Sequence, residues 1–229
     1  MGYAKDFLSL IYPEVCPVCG KSLFKYEKVI CMKCYHHLPC ARFSDDPQNP
    51  AAQVFWGRVP LIMVGVAFLY NKGNALQQLI HAFKYKGHKE IGLFLGEELG
   101  KEISKISGAE RLDYIIPVPL HPKKKKKRGF NQSEIIAEGI AKHLSAEVNC
   151  NILRRKAFSS TQTRKSKFER WQNVESIFEL KNPQLIKNKH LLLVDDVITT
   201  GATLEACVRC LLEVEGIEVS VGALAYTRS

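Results

Sequence analysis

The chain has 229 residues, which is enough for one sizeable domain and a small accessory module. Its composition, 46% hydrophobic and 24% charged, is that of a soluble globular protein, and its longest apolar run (residues 61–70) is too short to cross a membrane. The net charge of +10 favours an anionic partner.

The N-terminal sequence contains no export or lipidation signal. Its apolar run is short and interrupted by Asp6, and the same position lacks the Ser or Thr that myristoylation requires. We therefore expect a cytoplasmic protein without membrane insertion. In that compartment the eight cysteines are not expected to form a disulfide framework.

Four of the cysteines form a doubled C-x2-C pattern typical of a metal site. They are Cys16, Cys19, Cys31 and Cys34, and 11 residues separate the two pairs. Each pair can direct two thiolates to a common point, and four sulfur ligands suit a structural Zn²⁺ ion with no open coordination position. Unpaired thiols and an iron–sulfur cluster are the alternatives.

This pattern predicts a four-cysteine zinc-ribbon module over residues 1–45. The nearby donors His36, His37 and Cys40 are interpreted as incidental, because the four-thiol set is complete. Residues 46–58 are polar and contain proline, so we predict a linker there and a larger domain over 59–229.

From about residue 60 onward, apolar strands alternate with amphipathic helices. Strands are predicted at 61–70, 114–120, 190–197 and 217–226, and helices at 74–85, 91–106, 131–144 and 201–216. This alternation predicts an α/β domain with a mainly parallel sheet, whose ligands bind beyond the carboxyl ends of the strands. The C-x2-C of Cys207 and Cys210 falls within the last helix and is interpreted as buried apolar residues.

The positive charge is concentrated in one segment. Residues 121–170 hold 14 Lys and Arg against 4 Asp and Glu, and this net of +10 equals the excess of the whole chain. A phosphorylated small molecule, a nucleic acid or both would suit this segment. A solvated surface that only maintains solubility is the alternative.

The stretch LLLVDDVITTGAT, residues 191–203, combines two carboxylates with a small-residue loop. Asp195 and Asp196 could hold a sugar diol, directly or through a bound cation. In the loop that follows, Gly201 allows close approach of the backbone, hydroxyls are abundant, and the next helix begins with unpaired N–H groups that favour a phosphate. An acidic buried strand or a Walker B-type strand is the alternative, although no Walker A motif accompanies it.

This stretch resembles the phosphoribosyl pyrophosphate (PRPP) signature of type I phosphoribosyltransferases. The resemblance implies that PRPP, together with Mg²⁺, is held by seven residues: Asp195, Asp196, Thr199, Thr200, Gly201, Ala202 and Thr203. It also implies a mainly parallel transferase fold.

Two further stretches are similar to the ComF family of competence proteins, as is the N-terminal four-cysteine module. In residues 115–134 the resemblance implies a pyrophosphate loop that includes Arg128, Gly129, Asn131 and Gln132. Residues 153–178 resemble the next block of that family, including Arg154, Thr161, Gln162, Arg170 and Asn173. Within this block the resemblance implies that residues 154–170, with Arg154, Gln162 and Arg170, form a flexible loop that closes over the ligand. The unbroken lysine run at 123–127 is denser than the family pattern.

Three functions remain open from the sequence. The family resemblance implies handling of incoming single-stranded DNA beside a helicase-like partner, with DNA contacts at Lys123, Lys124, Lys125, Lys126, Lys127 and Arg128. Aromatic residues among these charges could stack on bases, namely Phe130, Phe158, Phe168 and Trp171. The alternatives are a phosphoribosyltransferase that acts on an unidentified acceptor and an adaptor recruited through the zinc module. No residue stands out as a catalytic base.

Overall fold

A five-stranded parallel sheet forms the centre of the computed structural model, which describes residues 13–156 and 177–227. The strand order is β1-β7-β6-β2-β3, and β4 and β5 form a separate two-stranded antiparallel sheet. The strands are β1 (Val64–Leu69), β2 (Tyr114–Pro117), β3 (Glu147–Val148), β4 (Leu153–Arg155), β5 (Phe178–Leu180), β6 (His190–Ile198) and β7 (Glu218–Tyr226). The predicted α/β fold with a parallel sheet is confirmed.

Helices cover both faces of the sheet. They are α1 (Met32–His36), α2 (Pro50–Gln53), α3 (Ala75–Tyr85), α4 (Lys89–Ile103), α5 (Pro122–Arg128), α6 (Gln132–Ile140) and α7 (Ala202–Leu211). The lysine run, for which no helix was predicted, forms α5. Helices α6 and α7 end earlier than predicted, at Ile140 and Leu211. None of the helices within 13–156 and 177–227 is long and apolar enough to cross a membrane.

The central strand β6 is buried on both faces, as its continuous apolar sequence predicts. Leu192 and Val194 belong to one hydrophobic cluster, whereas Leu191 and Leu193 belong to another. Because successive side chains of a strand point to opposite faces, one run of residues contributes to two cores. The strand that carries the acidic pair is therefore held between two apolar layers.

The four-cysteine module packs directly on the larger domain. The backbone of Ala41 donates to the carbonyl of Ala67 (2.9 Å), and Leu69 donates to the carbonyl of Pro39 (2.7 Å), so the module covers the edge strand β1. The Tyr35 ring contacts Phe94, and its hydroxyl donates to Glu98 (2.9 Å). An edge strand covered in this way is protected from pairing with other chains.

Residues 46–58, predicted to be a linker, are instead part of the core. Asn49 caps α2 by accepting from the N–H groups of the first turn, and it donates to the carbonyl of Val64 (3.1 Å). Ala51 is fully buried and Phe55 is 1% exposed. The linker interpretation was wrong because Asn and Pro here mark the start of a short helix, where both residues are favoured.

Candidate functional site

The two motifs of the sequence meet at one edge of the sheet. Strand β2 pairs with β6 in parallel, with Pro117 opposite Val194, so the segments that follow both strands lie side by side. This edge is the carboxyl end of the sheet, where ligands bind in parallel α/β folds.

The acidic pair lies in the carboxyl-terminal half of β6, which ends at Ile198. Oδ1 of Asp195 accepts from the backbone N–H of Asp196 (2.9 Å) and from Oγ of Ser133 (3.2 Å), at the start of α6. Burial, and after it the charge of Asp196, raises the pKa of Asp195 to about 7. The two carboxylates therefore repel each other, and a bound cation or a diol hydroxyl would relieve that repulsion.

Lys84 forms an ion pair with the acidic pair, although the sequence did not identify this residue. Its Nζ atom lies 2.5 Å from Oδ2 of Asp196, and both side chains are mostly buried. The next residue, Tyr85, holds the guanidinium of Arg128 over its ring at 5.2 Å. The last turn of α3 thus contacts both motifs. In the sequence, Lys84 is marked only as a polar residue near the end of a predicted helix, and many surface lysines occupy such positions.

The loop after β6 surrounds a small cavity of about 50 Å³. The lining residues are Asp195, Val197, Thr199, Thr200, Gly201, Ala202, Thr203 and Leu204. All seven residues predicted for PRPP therefore lie in or beside one space, and the amino end of α7 borders it. The backbone N–H groups of the first turn and the dipole of that helix end favour an anion.

Gly201 is required at this turn for two reasons. Its φ of +70° is a backbone conformation that favours glycine. In addition, a Cβ atom at this position would come within 2.9 Å of the side chains of Phe55 and Val54.

The predicted pyrophosphate loop divides into residues that form the turn and one that faces outward. Asn131 donates to the carbonyl of Val118 (3.1 Å) and caps α6 by accepting from the N–H of Ser133 (3.2 Å). Gln132 is 2% exposed and accepts from Nη1 of Arg128 (2.7 Å). Asn131 therefore positions the loop by its side chain, and half-buried Arg128 remains as the candidate phosphate contact. Gly129, with φ of +81°, ends α5 between them.

All five lysines predicted to contact DNA are exposed on α5. Because successive helix residues are separated by about 100°, they surround the helix instead of forming one stripe. Phe130 does not fit the stacking prediction: it is 7% exposed and packs on Phe83. Core packing overrides its basic sequence neighbourhood. Phe158, Phe168 and Trp171 lie outside the described residues, as do Thr161, Gln162, Arg170 and Asn173.

A cleft of about 890 Å³ lies between α5 and β4, beside the pyrophosphate loop. Its described lining is Pro119, Leu120, Pro122, Lys125, Lys126, Gly129, Asn131, Glu134, Cys150, Leu153, Arg154, Arg155 and Lys156. Five of these side chains are basic and one is acidic. Arg154 pairs with Glu179, whereas the Nε–H of Arg155 is buried and has no hydrogen-bond acceptor within residues 13–156 and 177–227. The cleft is therefore suited to an anion.

The four predicted metal ligands converge at the N-terminal module. Their sulfur atoms all lie within 4.8 Å of one another, and those of Cys19 and Cys31 are 3.6 Å apart. In a tetrahedral zinc–thiolate site the sulfurs are about 3.8 Å apart, so the cluster could hold a metal ion of this kind.

Hydrogen bonds from the backbone support the four-cysteine cluster. Burial alone would raise the pKa of Cys16, but backbone N–H groups, that of Cys31 first, lower it to about 7. Between the two cysteine pairs, the mostly buried carboxylate of Glu27 accepts from the N–H groups of Phe24 (2.8 Å) and Met32 (2.7 Å). Glu27 thereby braces the loop that connects the two pairs.

Comparison with known families agrees with this geometry. Residues 131–229 match the family model of the phosphoribosyl transferase domain. The parallel sheet, the acidic pair at the end of β6 and this match define a type I phosphoribosyltransferase-like protein.

Similarity to three proteins identifies the family within this class of transferase-like proteins. The chain is 29% identical to DNA utilization protein YhgH of Escherichia coli (strain K12) over 228 residues, 96% of this chain and 93% of that protein. It is 28% identical to competence protein ComFC of Bacillus subtilis (strain 168) over 97% of this chain and 88% of that protein. It is 30% identical to competence protein F of Haemophilus influenzae over 154 residues, which cover 66% of this chain and 67% of that protein. The chain belongs to the ComF family of competence proteins.

Among solved structures, the allosteric regulatory enzyme of purine biosynthesis aligns with 62% of this chain and 29% of its own, at 21% identity. Its TM-score of 0.44 is too low to support a functional comparison.

Proposed function

We propose that this protein binds PRPP with Mg²⁺ at the carboxyl ends of β2 and β6, and that it handles incoming single-stranded DNA in the cytoplasm during natural transformation. The observation that carries the proposal is the position of Asp195 and Asp196 directly beside the cavity at the start of α7. In PRPP the ribose diol and the 5′-phosphate are likewise close together, so one molecule can reach both the carboxylates and the cavity.

Each part of PRPP has a matching group in this site. The carboxylates of Asp195 and Asp196 accept from the ribose hydroxyls or hold Mg²⁺, which prefers oxygen ligands. The loop of residues 199–203 receives the 5′-phosphate at the amino end of α7. Arg128 lies on the side of the diphosphate and can donate two parallel hydrogen bonds to it. Mg²⁺ supplies charge neutralisation when it is bound with the ligand.

The basic cleft supports the DNA-handling part of the proposal. Its five basic side chains, together with the exposed lysines of α5, can follow a phosphodiester backbone without sequence preference. Pro119, Leu120 and Leu153 add apolar surface against which a base can pack. Relatives in this family are named for competence and for DNA utilization, which agrees with such a ligand. A helicase-like partner follows from the family resemblance.

A second candidate function is phosphoribosyl transfer, and the position of the cleft favours it. The cleft shares Gly129 and Asn131 with the pyrophosphate loop, so an acceptor bound there would lie next to the diphosphate. Its nucleophile would form a bond to C1 of the ribose while the bond from C1 to diphosphate breaks. Diphosphate release that requires both PRPP and an added acceptor would identify this activity.

The four-cysteine module is proposed to hold structural Zn²⁺ and to brace the fold. Cys16, Cys31 and Cys34 share a hydrophobic cluster with residues of α3 and α4, and four protein sulfurs leave no position for a substrate. Bracing is favoured over recruitment of partners because the module packs against β1 and α4 of the larger domain.

The test is calorimetric titration of the zinc-loaded protein with PRPP and Mg²⁺, repeated in the presence of a single-stranded oligonucleotide. We expect saturable PRPP binding that is lost when both Asp195→Asn and Asp196→Asn are introduced. A protein that binds the oligonucleotide but not PRPP would refute the ligand-site proposal and leave the DNA proposal standing. A protein that binds PRPP but not the oligonucleotide would refute the DNA proposal and leave the ligand-site proposal standing.

A further inference from the structure

Arg58 connects the segment after α2 to the candidate phosphate loop. Its Nη1 atom donates to the carbonyl of Thr200 (2.7 Å) and to that of Val54 (3.0 Å). Its Nη2 atom pairs with the carboxylate of Glu205 in the first turn of α7. One guanidinium therefore holds the loop, the helix that follows the loop and its own segment together.

A second arginine completes this arrangement. Arg209 donates to Oε1 of Glu205 through Nε (3.1 Å) and Nη2 (2.9 Å), and Nη2 also donates to the carbonyl of Arg58 (2.9 Å). Burial would raise the pKa of Glu205, but the hydrogen bonds from Arg209 and Arg58 outweigh it and lower that pKa. Glu205 is thus a charged anchor for both arginines.

This contact restricts the direction of a neighbouring N–H group. In a trans peptide the carbonyl and the N–H point in opposite directions. Because the carbonyl of Thr200 is directed to Arg58, the N–H of Gly201 is directed away from it. Phe55 and Val54 occupy the other approach to Gly201, where even a Cβ atom would collide. The segment that contains α2 therefore supports the loop through both packing and hydrogen bonds.

The charge of Glu205 gives Arg58 a second effect. A carboxylate in the first turn of a helix stabilises the helix but repels an anion that binds at the same end. Arg58 and Arg209 together carry two positive charges against this one negative charge. Removing Arg58 would leave the loop less restrained and the helix end less positive.

From these contacts we propose that Arg58 is a positioning residue for the 5′-phosphate. It holds residues 199–203 in the conformation that presents backbone N–H groups to the phosphate, and it offsets the charge of Glu205. This inference rests on the proposed PRPP site and extends it to a residue about 140 positions away in the chain.

The experiment compares Arg58→Ala, Arg58→Lys and the control Arg111→Ala in the zinc-loaded, full-length protein. Arg111 pairs with Glu218 at the exposed amino end of β7, so its loss removes a surface ion pair away from the loop. Ribose 5-phosphate and unphosphorylated ribose are titrated by calorimetry, and amide hydrogen exchange is measured for residues 199–205 without ligand. Thermal unfolding of each variant controls for global stability.

For Arg58→Ala we expect about a tenfold loss of ribose 5-phosphate affinity, no change for ribose, and faster exchange of the loop amides. Arg58→Lys should recover part of the affinity, because it keeps the charge but cannot make all three contacts. Adding Glu205→Gln to Arg58→Ala should also recover part of it by removing the repulsive charge.

Unchanged affinity and exchange in both Arg58 variants would overturn the inference while leaving the PRPP site intact. If the unsubstituted protein binds no ribose 5-phosphate, the proposed site itself fails, and the phosphate role of Arg58 fails with it. Equal losses for ribose and ribose 5-phosphate would indicate a general structural role and would also overturn the positioning role.

Discussion

The Nζ atom of Lys84 lies 2.5 Å from the carboxylate of Asp196, so a lysine from helix α3 neutralises one half of the acidic pair at the end of β6. The pair and its counter-ion come from segments more than 100 residues apart. This contact and those of Ser133 and Arg58 define a site whose parts can be tested one at a time.

Replacing Lys84 should make PRPP binding more dependent on Mg²⁺. Without the ammonium group, the two carboxylates repel each other more strongly and need a cation before they can ionise together. We expect Lys84→Gln to raise the Mg²⁺ concentration needed for half-maximal PRPP binding, measured by calorimetry across a Mg²⁺ series. The matched control is Lys86→Gln, an exposed position just after the end of α3. Identical Mg²⁺ dependence in both variants would contradict the role of Lys84.

Substitution of Asp195 by Asn should stabilise the protein, and more so at high pH. The pKa of Asp195 is about 7 in the folded protein, against 3.8 for an ordinary Asp, so the folded state holds an extra proton between these pH values. Stability contributed by that proton is lost as the pH rises through this window. Asn keeps the hydrogen bonds at Oδ1 without the charge, so we expect a gain of about 2 kcal/mol at pH 8 that shrinks by pH 5.

Denaturant unfolding at both pH values measures this effect, and Asp113→Asn provides a control of opposite sign. A hydrogen bond from Lys189 lowers the pKa of Asp113, so the stability it contributes is present at neutral pH and is lost as the pH falls. Asp113→Asn should therefore be destabilising at pH 8. A gain for Asp195→Asn that does not vary with pH would show that its charge is not the cause.

Removal of a cysteine from the metal centre should release zinc and destabilise the whole protein. Cys31 is a buried member of the four-sulfur cluster and of the hydrophobic core that includes α3 and α4. We expect Cys31→Ser to lose bound zinc, measured by elemental analysis, and to unfold at a lower temperature, because binding free energy of the metal contributes to folding. Cys40→Ser, an exposed cysteine outside the cluster, should keep one zinc per chain. Full zinc content in Cys31→Ser would exclude this ligand set.

Charge reversal on α5 should lower the affinity for DNA and should also make that affinity less dependent on salt concentration. On a single strand, each lysine that contacts a phosphate adds about 0.7 to the magnitude of the slope of log affinity against log salt concentration. For Lys123→Glu with Lys127→Glu, which share one face of α5, we expect a smaller slope and at least a tenfold lower affinity for a single-stranded oligonucleotide at low salt. The matched pair is Lys101→Glu on α4 with Lys105→Glu just after its end, two exposed lysines away from α5. Equal losses in both pairs would point to a general charge effect instead of a DNA path along α5.

Much of the architecture could be predicted from the order of residues along the chain. The apolar run that ends in Asp195 indicated a strand buried on both faces, and the run does form the centre of the sheet. The spacing of Cys16, Cys19, Cys31 and Cys34 predicted one metal cluster, and their sulfurs do converge. Both predictions succeeded because they depend on local periodicity and on short, turn-like spacing, which neighbouring residues alone specify.

Other parts of the site depended on contacts that no local pattern records. The polar composition of 46–58 indicated a linker, yet the segment contains the capped helix α2, and Phe55, which follows that helix, packs beside Gly201 of the candidate phosphate loop. Phe130, in a basic neighbourhood, enters the core against Phe83. Helical and strand patterns indicate which face of an element is apolar, but not which partner that face will meet.

The sequence by itself determined the class of fold, the acidic pair, the small-residue loop and the four-cysteine cluster, because each of these is encoded within a short stretch of chain. Only the tertiary structure decided that Lys84, Ser133 and Arg58 complete the site. A surface lysine and a site lysine have the same chemistry and the same local pattern. What distinguishes them is the packing of distant helices around one sheet edge, which places an ammonium or a guanidinium beside a carboxylate from elsewhere in the chain.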